Sequence, residues 1–241
     1  MTNFDEEPRA EKATTSTHRR PEASGPPLGW LAVISLALLI AGILVPVIMT
    51  GQGFVSPYAG TDAVVSYFTG HPLAARIAAM IQFGSAIPLG IYAATAQARL
   101  TRLGVRVPGP TIAFYGGITA SLCLLMSSMI SWVLSHPEVS SNGPVAQALS
   151  YLGFVNGGSC YVVGSGLLVA GMAVPALIVR LLPRWLAVVG LVIAAISELS
   201  FLSLAVQPLQ VLLPIGRFGG LLWLIAGGFL LPVTRTRTTE S

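Results

Sequence analysis

Six apolar runs, each about as long as a bilayer crossing, constrain this chain more than any other feature of its sequence. A helix spanning a hydrocarbon core of about 30 Å needs roughly 20 mostly apolar residues. Only a helix or a closed barrel can satisfy its own backbone hydrogen bonds there. Bounded by charge, Pro or Gly, the runs cover 28–50, 73–98, 111–134, 148–179, 185–206 and 215–233. They predict an all-α fold, a polytopic membrane helix bundle of six transmembrane helices. The first run exceeds the roughly 7–15 residues of a secretory h-region and lacks a small-residue cleavage site, so it is read as a retained anchor. Pro46, Pro88 and Pro175 fall inside runs, where neighbouring helices can satisfy the carbonyls they release.

Composition supports the same solvent. The chain is 54% hydrophobic and 9% charged, against about 25% charged residues in a typical soluble domain. Much of the charge lies in residues 1–27, where Asp5, Glu6, Glu7, Glu11 and Glu22 mix with Arg9, Lys12, Arg19 and Arg20. Such a stretch reads as a disordered tail. The expected organisation is that tail, a transmembrane domain over 28–233, and a short tail over 234–241.

The basic residues set the expected orientation. Eleven of the 13 flank one side of the runs: four in the N-terminal tail, Arg99, Arg102 and Arg106 after the second run, Arg180 and Arg184 after the fourth, and Arg235 and Arg237 at the end. Only Arg76 and Arg217 lie opposite. The positive-inside rule then puts both termini in the cytoplasm (N-in/C-in) and leaves three connections outside. The first, 51–72, is long enough for an interfacial helix through Asp62, Val64, Val65, Tyr67 and Phe68. Although the net charge is +4, the cations are scattered between apolar runs, so the bilayer and not nucleic acid is the expected partner.

Ionisable groups within the runs are the sharpest functional signal, since each costs about 2.5–3.5 kcal/mol at the bilayer centre on insertion scales. Glu198, Arg217 and Arg76 all fall in the outer half of the predicted bundle. A buried carboxylate is neutralised by an arginine or by a proton, and Glu198 is expected to pair with Arg217, with Arg76 as the alternative partner. Gln82, Asn156 and Ser159 add hydrogen-bonding groups at similar depth. Together these six outline an outward-facing polar pocket for a small molecule or lipid. The competing reading is that they only glue helices together.

Other motifs carry less chemistry. Gly153, Gly157, Gly164 and Gly171, and again Gly216, Gly220 and Gly227, are spaced as helix-packing seams. His71, His136, Asp62 and Glu138 lack any spacing that fixes a metal. No pair of histidines suits haem, and no nucleophile motif is present. Neither a metal nor a cofactor is expected, and an enzyme is the least favoured class. Cys123 and Cys160 sit in apolar runs without a C-x-x-C pattern, and read as small packing residues, not as a disulfide. Trp30-Leu31-Ala32-Val33 and Trp185-Leu186-Ala187-Val188 give only a faint echo of a duplicated hairpin.

The stretch Leu182-Pro183-Arg184-Trp185-Leu186, followed by a run and then by Leu213-Pro214-Ile215-Gly216-Arg217-Phe218, resembles small bacterial six-helix membrane proteins, of an actinobacterial type, with a domain of unknown function. The resemblance implies a bacterial inner-membrane protein and brings no catalytic residue with it. Twelve arginines against one lysine agree with a GC-rich bacterial source. Three functional readings follow: binding or transport of a small molecule or lipid through the outer pocket, a structural or accessory membrane subunit, and an enzyme with an outer-side active site using His71, His136 or Glu198. Six spans are also compatible with a homodimer.

Overall fold

A computed structural model describes residues 25–233; the two tails, residues 1–24 and 234–241, lie outside the described residues, and with them the expected disorder and the basic residues of both ends. Among the described residues every element is helical. The chain runs through α1 (Leu28–Thr50), a 3-10 turn at Pro57–Ala59, α2 (Thr61–Gly70), α3 (Pro72–Arg102), α4 (Gly109–Leu134), α5 (Pro137–Ser140) and α6 (Gly143–Val155). A π-helical turn, Asn156–Cys160, carries α6 into α7 (Tyr161–Ile178). Then come α8 (Arg184–Leu199), 3-10 turns at Ser200–Leu204 and Gln207–Val211, and α9 (Leu212–Leu230).

Six helical stretches are long and apolar enough to cross a membrane, among them the continuous Gly143–Ile178. They match the six sequence runs, with ends shifted by local chemistry. The second crossing runs on to Arg102, and the fourth starts at Gly143, where Asn142 caps it by accepting the Val145 amide and Pro144 fits the first turn. The interfacial helix expected in the first connection is α2, which buries Val64, Tyr67 and Phe68 on one face.

The crossings close into a ring in which α1 packs on α3, α3 on α4, α4 on α7, α7 on α8, α8 on α9 and α9 back on α1. Both ends of the ring's chain emerge together: a Cβ at Gly228 would lie 2.7 Å from the Gly29 backbone nitrogen, and Trp30 meets Phe229 edge to face. The opposite rim, here the α2 end, carries α2, α5 and the start of α6. There Val64, Tyr67, Phe68, Ala75, Ile130, Leu134 and Ala146 form a separate apolar cluster.

Small residues let the helices approach. At the α4–α7 contact, a Cβ on Gly171 would lie 2.6 Å from the Gly109 carbonyl oxygen, and one on Gly164 would lie 2.7 Å from the Ala120 nitrogen. The seam expected at Gly164 and Gly171 is therefore real, and its mating surface is Gly109, Ala113, Gly116 and Ala120. Gly216 is similarly enclosed, by Val162 and Ser197. Gly220 and Gly227 meet side chains only at ordinary distances, and the tight glycine at that end of α9 is Gly228.

Hydroxyls span the remaining gaps. Ser35 and Ser85 each donate to the other's carbonyl at 2.8 Å, joining α1 to α3. Tyr92 donates to Leu224 across the ring at 2.9 Å, and the Trp223 indole donates to Leu186 at 2.7 Å. Large apolar side chains such as Ile48, Ile178, Val192 and Leu222 face outward and exposed on the crossings. That is a lipid-facing surface and far more apolar than a soluble monomer displays.

Cys123 on α4 and Cys160 at the end of the π turn form a disulfide, with Cα atoms 6.0 Å apart. This corrects the expectation of two separate packing residues: the fold brings together positions 37 apart in sequence, within the normal Cα separation for a bridge.

Candidate functional site

The π turn shapes the site. In Asn156-Gly157-Gly158-Ser159, two adjacent glycines weaken the α-helical register. The Tyr161 amide bonds to the Asn156 carbonyl five residues back. In an α-helix that amide would have taken the Gly157 carbonyl, which instead accepts from the guanidinium of Arg217 on α9. The same guanidinium stands 5.0 Å above the Tyr161 ring, a favourable position for a cation over an aromatic face.

Beside Arg217 lies a cavity of about 420 Å³, in the size range of small-molecule sites. It sits in the α2 half of the bundle between α1, α3, α4, α6 and α9. Phe54, Phe68, Leu124, Phe154 and Phe218 supply much of an apolar wall, while Gln82, Ser127, Ser131, Ser150, Gln210 and Arg217, with Ser56 at the α2 end, supply the polar groups. Arg217 is the one charged residue in that wall.

The segment Phe54–Pro57 lines the cavity at its α2 end. It is held by aromatic contacts and one strong hydrogen bond. Phe54 packs edge to face on Tyr67 and Phe68, with ring centres 5.6 and 5.8 Å away. Tyr58 does the same with Tyr151 and Phe154. Gln147 on α6 donates to the Pro57 carbonyl at 2.6 Å.

The hydroxyl protons of the deeper serines are already committed. Ser127 donates to the Gly153 carbonyl at 2.8 Å, and Ser131 to the Ser127 carbonyl at 3.0 Å. Gln210 differs: its Nε2 is buried without a hydrogen-bond partner among the described residues.

Of the six residues expected to line an outer pocket, the structure places two in the cavity wall, Gln82 and Arg217. Arg76 is exposed near the start of α3 and makes a long contact, 3.4 Å, to the Ser135 hydroxyl. Asn156 turns back on its own helix, donating to the Leu152 carbonyl at 2.9 Å. Ser159 is buried against Ser203, their oxygens 3.1 Å apart. Glu198 leans toward α7, where a Cβ on Gly166 would lie 2.9 Å from its Oε1, and that oxygen is buried with no hydrogen-bond partner among the described residues.

The expected Glu198–Arg217 pair therefore does not form. Arg217 is occupied by a backbone carbonyl and an aromatic face, and among the described residues no carboxylate pairs with it. Arg76 likewise turns to Ser135 and away from Glu198. Sequence reasoning missed Ser127, Ser131, Ser150 and Gln210, whose serines read as ordinary small residues in apolar runs. Among the described residues no group of three or more His, Cys, Asp or Glu side chains is placed to hold a metal.

Comparison with protein-family models, with curated proteins and with solved structures returns no match for this chain.

Proposed function

We propose that this chain is a bacterial inner-membrane protein that binds a small molecule or lipid in the cavity beside Arg217, with both termini in the cytoplasm and the cavity toward the outer face. The observation that carries the reading is an arginine set beside a mostly apolar cavity of about 420 Å³ with no carboxylate among the described residues to neutralise it. An arginine that only fixed helix register would be expected to meet an acid or several carbonyls, because an uncompensated cation is costly in the membrane. A cavity of ligand size with a few converging polar groups is the usual form of a binding site.

The orientation rests on Arg99, Arg102, Arg106, Arg180 and Arg184, all at the end of the bundle where the chain enters and leaves. The resemblance of the Leu182–Leu186 and Leu213–Phe218 stretches to small bacterial multi-pass proteins supports the same compartment.

Two measurements test the proposal. A cysteine replacing Ser141 should react with an impermeant maleimide in intact cells, and one replacing Gly104 only after permeabilisation; the reverse pattern would overturn the orientation. Thermal unfolding of the protein in nanodiscs across a panel of amphiphiles and small polar solutes should find compounds that raise Tm, because a ligand held only by the folded state stabilises it by mass action. If no compound shifts Tm, the accessory-subunit reading takes its place.

A further inference from the structure

The geometry points to the chemical class of the ligand: an amphiphile with an oxyanion head, the head held by Arg217 and the two glutamine amides, and its apolar body lying along the phenylalanine wall. This inference rests on the cavity being a binding site, as proposed above, and adds the charge and shape of its occupant.

The balance of donors and charge in the wall carries the argument. Arg217 carries five N–H groups and no acceptor; the described structure gives it one carbonyl and one aromatic face, so donors remain for a ligand. Gln210 has a buried amide nitrogen without a partner. Gln82 makes no side-chain hydrogen bond among the described residues and lines the same cavity. A buried donor left unmade is costly, and the unpartnered groups of the wall, the remaining Arg217 N–H groups and the Gln210 amide nitrogen, are donors, so a ligand rich in acceptors satisfies them. The single formal charge in the wall is positive, and a carboxylate or phosphate oxygen pair matches the guanidinium fork.

The remaining wall selects the body. Phe54, Phe68, Phe154, Phe218 and Leu124 present rings and methyls, which offer a bare inorganic anion nothing to replace its hydration. Gly157 lies 14 residues along its helix from Gly143, or about 21 Å at 1.5 Å per residue. Arg217 itself lies five residues past Leu212, where α9 begins, about 7.5 Å along that axis, so the cation stands inside the bundle, within reach of an anion carried on an apolar tail. A free fatty acid and an anionic phospholipid share this chemistry.

The test uses the full-length protein in phosphatidylcholine nanodiscs with three probes of one chain length: decanoate, decanol and decyltrimethylammonium. Decanoate should raise Tm at concentrations where the neutral and cationic probes do not, and acetate or inorganic phosphate alone should be at least tenfold weaker than decanoate. Arg217→Gln should weaken decanoate at least tenfold, a loss of about 1.4 kcal/mol, and Gln210→Leu severalfold. Replacing part of the phosphatidylcholine with phosphatidylglycerol identifies the source. If a lipid phosphate already fills the site, the added decanoate shift disappears, Tm rises with phosphatidylglycerol content, and Arg217→Gln removes that rise.

Equal stabilisation by all three decyl probes would overturn the oxyanion assignment while leaving a binding cavity in place. Absence of any effect from every probe and lipid would remove the cavity reading itself. The selectivity of the unsubstituted protein decides the question even if Arg217→Gln fails to fold.

Discussion

Arg217 on α9 donates to the carbonyl of Gly157 in the π turn between α6 and α7, so the one charged group of the cavity wall is anchored to backbone that an α-helical register would have occupied. Single π turns inside α-helices recur at functional sites. Here the turn has a specific consequence: it supplies an acceptor to an arginine that no acid neutralises among the described residues, holding the side chain beside the cavity without cancelling its charge.

Glu198 and Arg217 are not partners, and their energetics should be independent. Removing one member of a buried ion pair typically costs about 3–5 kcal/mol. Because the buried Glu198 Oε1 accepts no hydrogen bond among the described residues, Glu198→Gln should change stability by less than about 1 kcal/mol. A double-mutant cycle with Arg217→Gln should give a coupling within about 0.5 kcal/mol of zero. A large coupling would restore the pairing read from sequence.

The α4–α7 seam should be intolerant of a single methyl. Gly164→Ala puts a Cβ against the Ala120 backbone, which cannot swing aside, and overpacking of this kind costs about 1–3 kcal/mol. Gly227→Ala meets only side-chain atoms at 3.5 Å or more and should change stability by no more than about 0.5 kcal/mol. Denaturation of the two variants in the same detergent compares them directly.

Tyr67 buries its hydroxyl without a hydrogen-bond partner among the described residues, and burial raises its phenol above its ordinary value. Tyr67→Phe removes an unsatisfied polar atom and keeps the ring against Phe54. It should be neutral or stabilise by up to about 1 kcal/mol, read as an unchanged or higher Tm. A marked loss would mean that the hydroxyl has a partner in the membrane.

The Cys123–Cys160 bond should survive purification without reductant. Digestion and mass spectrometry under non-reducing conditions should find the two peptides linked, with free thiols appearing only after reduction. Recovery of both cysteines alkylated from unreduced protein would contradict the bridge.

The crossings were legible because span length and apolarity are properties of consecutive residues. Leu28–Thr50 falls where the sequence places it, and α2 follows the spacing of Val64, Tyr67 and Phe68. The site was legible only in part, because sequence gives depth along a helix and says little about which neighbour a side chain faces. Glu198 and Arg217 lie at the same end of neighbouring helices, yet Glu198 points at Gly166 on α7. Arg217 turns to Gly157, a direction created by the π turn that no residue count contains. Gln210 was hidden for a related reason. It lies in the connection between the fifth and sixth crossings, which coils into a 3-10 turn and brings the amide into the cavity wall.

The most direct measurement is photo-crosslinking with a fatty acid that carries a diazirine on its chain, followed by peptide mapping of the protein in nanodiscs. Adducts on Phe54, Phe154 and Phe218, suppressed by excess decanoate and lost in Arg217→Gln, are the expected result. Adducts confined to lipid-facing positions such as Ile48 and Ile178, insensitive to competitor and to the substitution, would show that the cavity beside Arg217 holds no such ligand.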